Sequence, residues 1–158
     1  RDLHLYALET RPYLQGARLT VAECVFDEIP CTLITDGMAG ALMASGRVQS
    51  VVIGCDRVAA NGDTANKIGS YQLAVLARHH GIPFYVAMPT STLDSRCPTG
   101  ADILVEERPA DELRRLAGIS ITVADVEVWN PAFDITPAEL ITAWVTEHGV
   151  WRKPFLPG

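Results

Sequence analysis

The sequence has 158 residues, 48% hydrophobic and 20% charged, which is enough for one globular domain with a sizeable core and too little for two full ones. A formal net charge of -6 with no Lys/Arg cluster argues against nucleic acid or a membrane surface as partner, so any anion site must be local. No apolar run approaches the roughly 20 residues needed to span a bilayer. Cys24, Cys31, Cys55 and Cys97 form no C-x-x-C pair and mostly lie in apolar surroundings, so a reducing compartment, the cytoplasm, is expected.

The chain opens directly on Leu3-His4-Leu5-Tyr6-Ala7-Leu8, a strand-like run with almost no leader, so a fragment of a longer protein is expected. A polar loop from Glu9 to Gly16, punctuated by Pro12 and Gly16, leads to Leu19, Ala22, Val25 and Phe26 at near-helical spacing, a pattern that stops at Pro30. Cys31 to Thr35 reads as a buried strand, Asp36-Gly37 as its turn and Met38 to Ala44 as a small-residue helix. Asp36 is open to two readings, a helix N-cap, which is the commoner use, or a site carboxylate.

Val51-Val52-Ile53 begins a third unit: a strand, a polar Gly/Asn/Asp loop, and a helix with Asn66-Lys67 at its start that runs to His79-His80-Gly81. The paired histidines suit a helix C-terminus better than a metal. Ile82 to Met88 is a fourth strand. Strands alternating with helices imply an α/β fold, a Rossmann-like doubly wound, mainly parallel sheet with helices on both faces, spanning residues 1–158 as a single domain.

After Pro89 the rhythm changes to a long polar loop, Thr90 to Gly100, of the kind that is usually functional or mobile. Asp102 to Arg108 suggests a short peripheral strand, Asp111 to Leu116 a turn or two of helix, and Ile119 to Val123 an irregular strand. Thr136 as N-cap, Pro137 at the first helical position and Glu139 completing a capping box predict a final helix to about His148. The aromatic-rich lead-in from Trp129 is a core plug or a dimer surface, and the tail from Trp151 to Gly158 is expected to pack loosely.

The chemistry concentrates in the third unit. Ligands of open α/β sheets collect at the carboxyl ends of strands, where Asp56 would sit. Framed by Ile53 and Cys55, Asp56 can be desolvated, which raises a carboxyl pKa and lets it donate a proton near neutrality; the alternative is a salt bridge to a nearby arginine. Lys67 at a helix start runs against the helix dipole, which a bound phosphate would explain, as would an exposed lysine tolerated at small cost. Arg57, Asn61 and Asp63 lie close in sequence, and Arg11 and Gln15 come from the first loop. Walker A, G-x-G-x-x-G, H-E-x-x-H and Asp-rich loop patterns are absent, so nucleotide cofactors are set aside and no metal is required.

Five stretches carry a resemblance: Glu9 to Thr20, Val51 to Ala74, Ala87 to Asp94, Glu106 to Pro109 and Trp129 to Pro137. In this order, over nearly the whole chain, they resemble the 5-methylthioribose-1-phosphate isomerase family of methionine salvage, within the initiation factor 2B alpha/beta/delta-like superfamily. The resemblance implies an aldose–ketose isomerase without a dissociable cofactor, acting on a small sugar phosphate as a homodimer. Residue by residue, Asp56 matches the family's catalytic aspartate, Gln15 a substrate-binding glutamine, and Asn66-Lys67 the substrate-binding pair.

In such a substrate the anomeric carbon carries the phosphate, so the sugar cannot open to a free aldehyde unaided. Ring opening needs a proton at the ring oxygen, a role assigned to protonated Asp56, followed by hydrogen transfer between the second and first carbons. The family's cysteine partner in that transfer lies on a segment ahead of this chain's first residue, and none of the four cysteines matches it. The N-terminal domain and the first part of this domain are missing by the same comparison, so the fragment alone is expected to be inactive. Two alternatives stay open: a ribose-1,5-bisphosphate isomerase, and a non-enzymatic regulatory subunit of the exchange factor for translation initiation factor 2.

Overall fold

The computed structural model describes residues 3–152. In chain order it forms β1 (Leu5–Leu8), a π-helical turn (Gly16–Thr20) running into α1 (Val21–Phe26), β2 (Cys31–Ile34), α2 (Ala39–Ala44), β3 (Val51–Ile53), β4 (Arg57–Ala59), β5 (Thr64–Lys67) and α3 (Ser70–His79). There follow β6 (Phe84–Ala87), β7 (Leu93–Asp94), α4 (Asp111–Arg114), β8 (Arg115–Leu116), β9 (Ile119–Ser120), β10 (Phe133–Thr136), β11 (Ala143–Thr146) and β12 (Gly149–Trp151). These divide into two compact units, one from residues 3–39 and 107–130, the other from residues 40–106 and 131–152. Among the described residues no helix is long and apolar enough to cross a membrane.

In the first unit β1 and β2 pair in parallel, with Leu5 opposite Cys31 and Leu8 opposite Ile34. A parallel pair needs a crossover rather than a hairpin, and the helical segment from Gly16 to Phe26 supplies it. α4 leads into the two-residue hairpin arms β8 and β9.

The second unit holds two four-stranded sheets, ordered β12-β11-β6-β3 and β10-β5-β4-β7. In the first, β3, β6 and β11 are mutually parallel, and the β-branched run Val51-Val52-Ile53 alternates in, out, in. Their inner faces build a core of Val51, Ile53, Phe84, Val86 and Trp144, against which α3 lays the fully buried Ala74 and Ala77, three residues apart on one helical face. Small residues there let the helix approach the sheet closely. α3 ends where the His80 N–H bonds to Leu76 O and Gly81 takes a positive φ of 68°. The expected α/β architecture, parallel strands connected through helices, is therefore what the chain forms.

Several local expectations give way to long-range pairing. The final helix from Thr136 does not form: Thr136 is buried in β10, Ala138–Leu140 makes a single 3-10 turn, and Ala143–Thr146 becomes β11, parallel to β6. The segment Ile141-Thr142-Ala143-Trp144-Val145-Thr146 is rich in β-branched and aromatic residues, and burying Trp144 completely outweighs a local capping pattern. The Asp102 to Arg108 strand is also absent. In its place Thr99 and Asp102 close a reciprocal capping box around the 3-10 turn Gly100–Asp102. The irregular strand expected from Ile119 to Val123 shrinks to Ile119–Ser120.

Asn66 and Lys67 close β5 instead of opening α3, because they pair with Asp134 and Phe133 of β10. Trp129 is exposed rather than a core plug. Of the expected loose tail, Trp151 ends β12, and Lys153 to Gly158 lie outside the described residues.

Candidate active site

β3 and β4 belong to different sheets of the second unit, and the three-residue link Gly54-Cys55-Asp56 carries the chain from one to the other. Asp56 thus stands beyond the carboxyl end of a core parallel strand, the position expected for ligand chemistry in this class of sheet. Its backbone N–H is tied to Ala65 O of β5 at 2.9 Å. Asp56 is an exposed residue, and the partial burial of its carboxyl pushes it above the ordinary aspartate value, a rise that the Lys67 ammonium partly opposes. The salt-bridge alternative does not hold: Arg57 turns to Asp94, with Nη1 3.8 Å from Oδ2.

Lys67 needs a different explanation from the one its sequence position suggests. It is a strand residue, and its ammonium lies over the Phe133 ring, 4.7 Å from the centroid, a cation–π contact with its partner in β10. Asn66 donates from Nδ2 to Ser70 Oγ at 2.8 Å. Asp56, Asn66 and Lys67 are thus brought together at the end of the β4–β5 pair, just beyond the point where Arg57 opposes Ala65.

Two neighbours in sequence have structural work instead. Asp63 accepts from Asn61 Nδ2, Gly100 N and Ala138 N, at 2.8, 3.0 and 2.8 Å. Burial acts to raise this carboxyl, but the three hydrogen bonds outweigh it and hold it below the ordinary value. A side chain at position 100 would put a β-carbon 2.8 Å from Asp63 Cβ and 2.5 Å from Ile135 Cγ2, so only glycine fits that approach. Burial pushes the Cys55 thiol up to about 11, and it donates to Thr92 Oγ1 at 3.4 Å, so it stays protonated near neutrality.

Gln15 belongs to the first unit. Asp36 is not an N-cap: its carboxylate accepts from Thr10 N at 2.9 Å and Arg11 N at 2.7 Å, which pins the loop leading to Gln15. Thr10 and Leu14 both take positive φ there, 64° and 60°, a conformation that such anchoring sustains. Arg11 is used within the unit, donating to Pro12 O and Leu113 O. Gln15 Oε1 is buried without a hydrogen-bond partner, an acceptor that a ligand donor would satisfy. Nearby, Pro12, Tyr13, Leu14 and Arg18 with Glu112, Arg115, Leu116 and Ala117 line a cavity of about 330 Å³ that holds none of the sequence-predicted site residues.

Sequence reasoning missed Asp134 and Ser70. Asp134 accepts from Gly69 N at 2.8 Å and Tyr71 N at 3.0 Å, so it holds the first turn of α3 beside Asn66. Burial pushes its carboxyl up against those bonds. Only the Asp in the Trp129 to Pro137 motif could have signalled it, and nothing local marks Ser70. Among the described residues, no group of three His, Cys, Asp or Glu side chains is placed to hold a metal ion.

The model of the Initiation factor 2 subunit family matches residues 1–153. A methylthioribose-1-phosphate isomerase of Desulfitobacterium hafniense is 58% identical over 155 residues, covering 98% of this chain and 45% of that protein. The crystal structure of 5-methylthioribose 1-phosphate isomerase from Pyrococcus horikoshii OT3 superposes with a TM-score of 0.94 at 47% identity, over 96% of this chain and 42% of that one. Translation initiation factor eIF-2B, subunit delta, from A. fulgidus gives a TM-score of 0.94 at 46% identity, over 98% and 45%. The chain spans less than half the length of each of these relatives.

Proposed function

Since the chain belongs to the initiation factor 2 subunit family, we propose that it is the C-terminal catalytic portion of an aldose–ketose isomerase that converts 5-methylthioribose 1-phosphate to 5-methylthioribulose 1-phosphate. The observation that carries this reading is Asp56 itself, a strand-end carboxyl raised by burial with the Lys67 ammonium acting on it. In its protonated form a carboxyl there can protonate the ring oxygen as the furanose opens, and an ammonium nearby suits a phosphate ester. The hydrogen moved from the second to the first carbon leaves the reaction redox-neutral, so by this reading no dissociable cofactor takes part.

In this reading Asp56 is the acid, Lys67 and Asn66 bind substrate, and Gln15 offers its buried acceptor to a substrate donor. The remainder of the polypeptide supplies the cysteine partner and further ligands, and the enzyme works as a cytoplasmic homodimer in methionine salvage. The 58% identity to a curated isomerase over almost the whole chain supports it.

A second reading, a non-enzymatic subunit of the initiation factor 2 exchange factor, is favoured by the equal TM-score of the A. fulgidus protein. A turnover assay on the full-length protein separates them, run with 5-methylthioribose 1-phosphate and, in parallel, ribose 1,5-bisphosphate. Conversion of the methylthio sugar is the expected result. Conversion of only the bisphosphate, or of neither, would overturn the proposal.

A further inference from the structure

The side-chain amide of Asn66 has a single orientation consistent with its partners. Ser70 Oγ lies 2.8 Å from Lys67 O and 2.8 Å from one terminal atom of the Asn66 amide. A hydroxyl has one proton to give, and a backbone carbonyl can only accept. The Ser70 proton therefore goes to Lys67 O, and the Ser70 oxygen is left to accept from Asn66. The atom that meets it must be Nδ2. Ser70 is 4% exposed, so water does not readily replace either bond.

With Nδ2 turned inward, Oδ1 faces the Gly54-Cys55-Asp56 link. A β-carbon built on Gly54 would stand 3.9 Å from Oδ1 and, its chain neighbours Ile53 and Cys55 aside, meet nothing else within 4 Å, so the space between Gly54 and this acceptor is not filled by another side chain. Among the described residues no donor reaches Oδ1. Asn66 offers an acceptor near Gly54, and the Lys67 ammonium acts on Asp56 from the next position of β5, so the two side chains bring different chemistry to the surroundings of Asp56. Phosphate oxygens only accept and would meet the Oδ1 lone pairs unfavourably, whereas a sugar hydroxyl donates to them.

We propose that Ser70 is a positioning residue that fixes Asn66 as a hydrogen-bond acceptor beside Asp56, so that Asn66 reads a hydroxyl of the sugar and the phosphate is left to Lys67. The proposal rests on the isomerase reading and assigns the chemistry that each half of the Asn66-Lys67 pair recognises.

The test is calorimetric binding to the full-length protein of 5-methylthioribose 1-phosphate and its 2-deoxy and 3-deoxy analogues. Wild type is expected to bind the parent about 10-fold more tightly than one of the analogues, the size of one hydrogen bond to a positioned acceptor. Ser70→Ala, which frees the amide to turn, should shrink that preference to about 3-fold or less, while Ser70→Thr keeps it. Inorganic phosphate should compete equally well in all three proteins, which a general loss of structure would not allow. Asn66→Asp gives an answer that does not depend on Ser70→Ala folding: a carboxylate still accepts from the hydroxyl, so the preference should persist.

An undiminished preference in a folded Ser70→Ala, or its loss in Asn66→Asp, overturns the inference while leaving the isomerase reading intact. Failure of wild type to bind the parent sugar phosphate at all overturns that reading and this inference with it.

Discussion

Partial burial holds the Asp56 carboxyl above its ordinary value, and the Lys67 ammonium offsets part of that rise. The opposition matters because the two residues are proposed to serve different ends of one substrate, a proton for the ring oxygen and a positive charge for the phosphate. A carboxyl raised by burial alone would be a good acid in a site with nothing to hold an anion. The ammonium adds the anion contact at the expense of some of that rise.

The pH dependence of turnover follows from this balance. The acid works protonated, so activity should be present below the Asp56 pKa in the complex and fall as pH rises through it. Replacing Lys67 by methionine removes the charge that lowers this pKa, so the alkaline limb of kcat should move to higher pH, with a raised KM from the lost phosphate contact. Rate profiles of the full-length wild type and Lys67→Met check this. A limb that moves to lower pH would contradict the assignment.

Asp63 should govern part of the acid stability. Its folded-state pKa is lowered, on balance, by the hydrogen bonds from Ala138, Asn61 and Gly100, against the upward push of burial. A depressed carboxylate contributes stability that is present above the unfolded value of about 4 and is lost as pH falls through the folded value. Asp63→Ala, which strands two backbone N–H groups, should cost about 2 kcal/mol at neutral pH, read from urea midpoints, and should flatten the fall in stability below about pH 4.

Trp144 and Thr64 test the strand that replaced the expected final helix. The indole N–H donates to Thr64 Oγ1 at 3.2 Å with both residues fully buried. Thr64→Val removes the acceptor and should cost about 1–3 kcal/mol. Trp144→Ala should cost about 3–5 kcal/mol by opening a cavity against β6. Denaturant titration of the full-length protein measures both, and a near-neutral Trp144→Ala would place this side chain outside the core.

The isolated 158-residue chain is expected to show no turnover, because the proposed cysteine partner is not among Cys24, Cys31, Cys55 and Cys97. Adding the purified chain alone to 5-methylthioribose 1-phosphate and following ketose formation tests this. Robust conversion would show that the proposed partner is dispensable.

What could be read from the sequence were features written locally. Val51-Val52-Ile53 announces a strand by its β-branched side chains, and Gly81 marks the end of α3. Asp56 could be placed at a strand end on the same grounds. The assignments that failed depend on partners far along the chain. Lys67 looked like a helix-start residue because its strand partner, Phe133, lies in a distant segment, and the cation–π contact that holds it has no sequence signature.

Thr136-Pro137-Ala138-Glu139 carries a good capping box, yet the core claims Trp144, and the chain extends to reach it. The β-branched run from Ile141 to Thr146 was the competing signal. Ser70 was invisible for a related reason, since a serine at a helix start is ordinary until its two hydrogen bonds are seen to fix the Asn66 amide.

The most direct test of the account is the rate at which full-length wild type and Asp56→Asn convert 5-methylthioribose 1-phosphate to the ketose, with binding measured in parallel. Loss of a general acid should lower kcat by about 10²–10⁴-fold, with the dissociation constant of the substrate little changed. An Asp56→Asn enzyme that turns over at the wild-type rate would contradict the assignment of Asp56 as the acid.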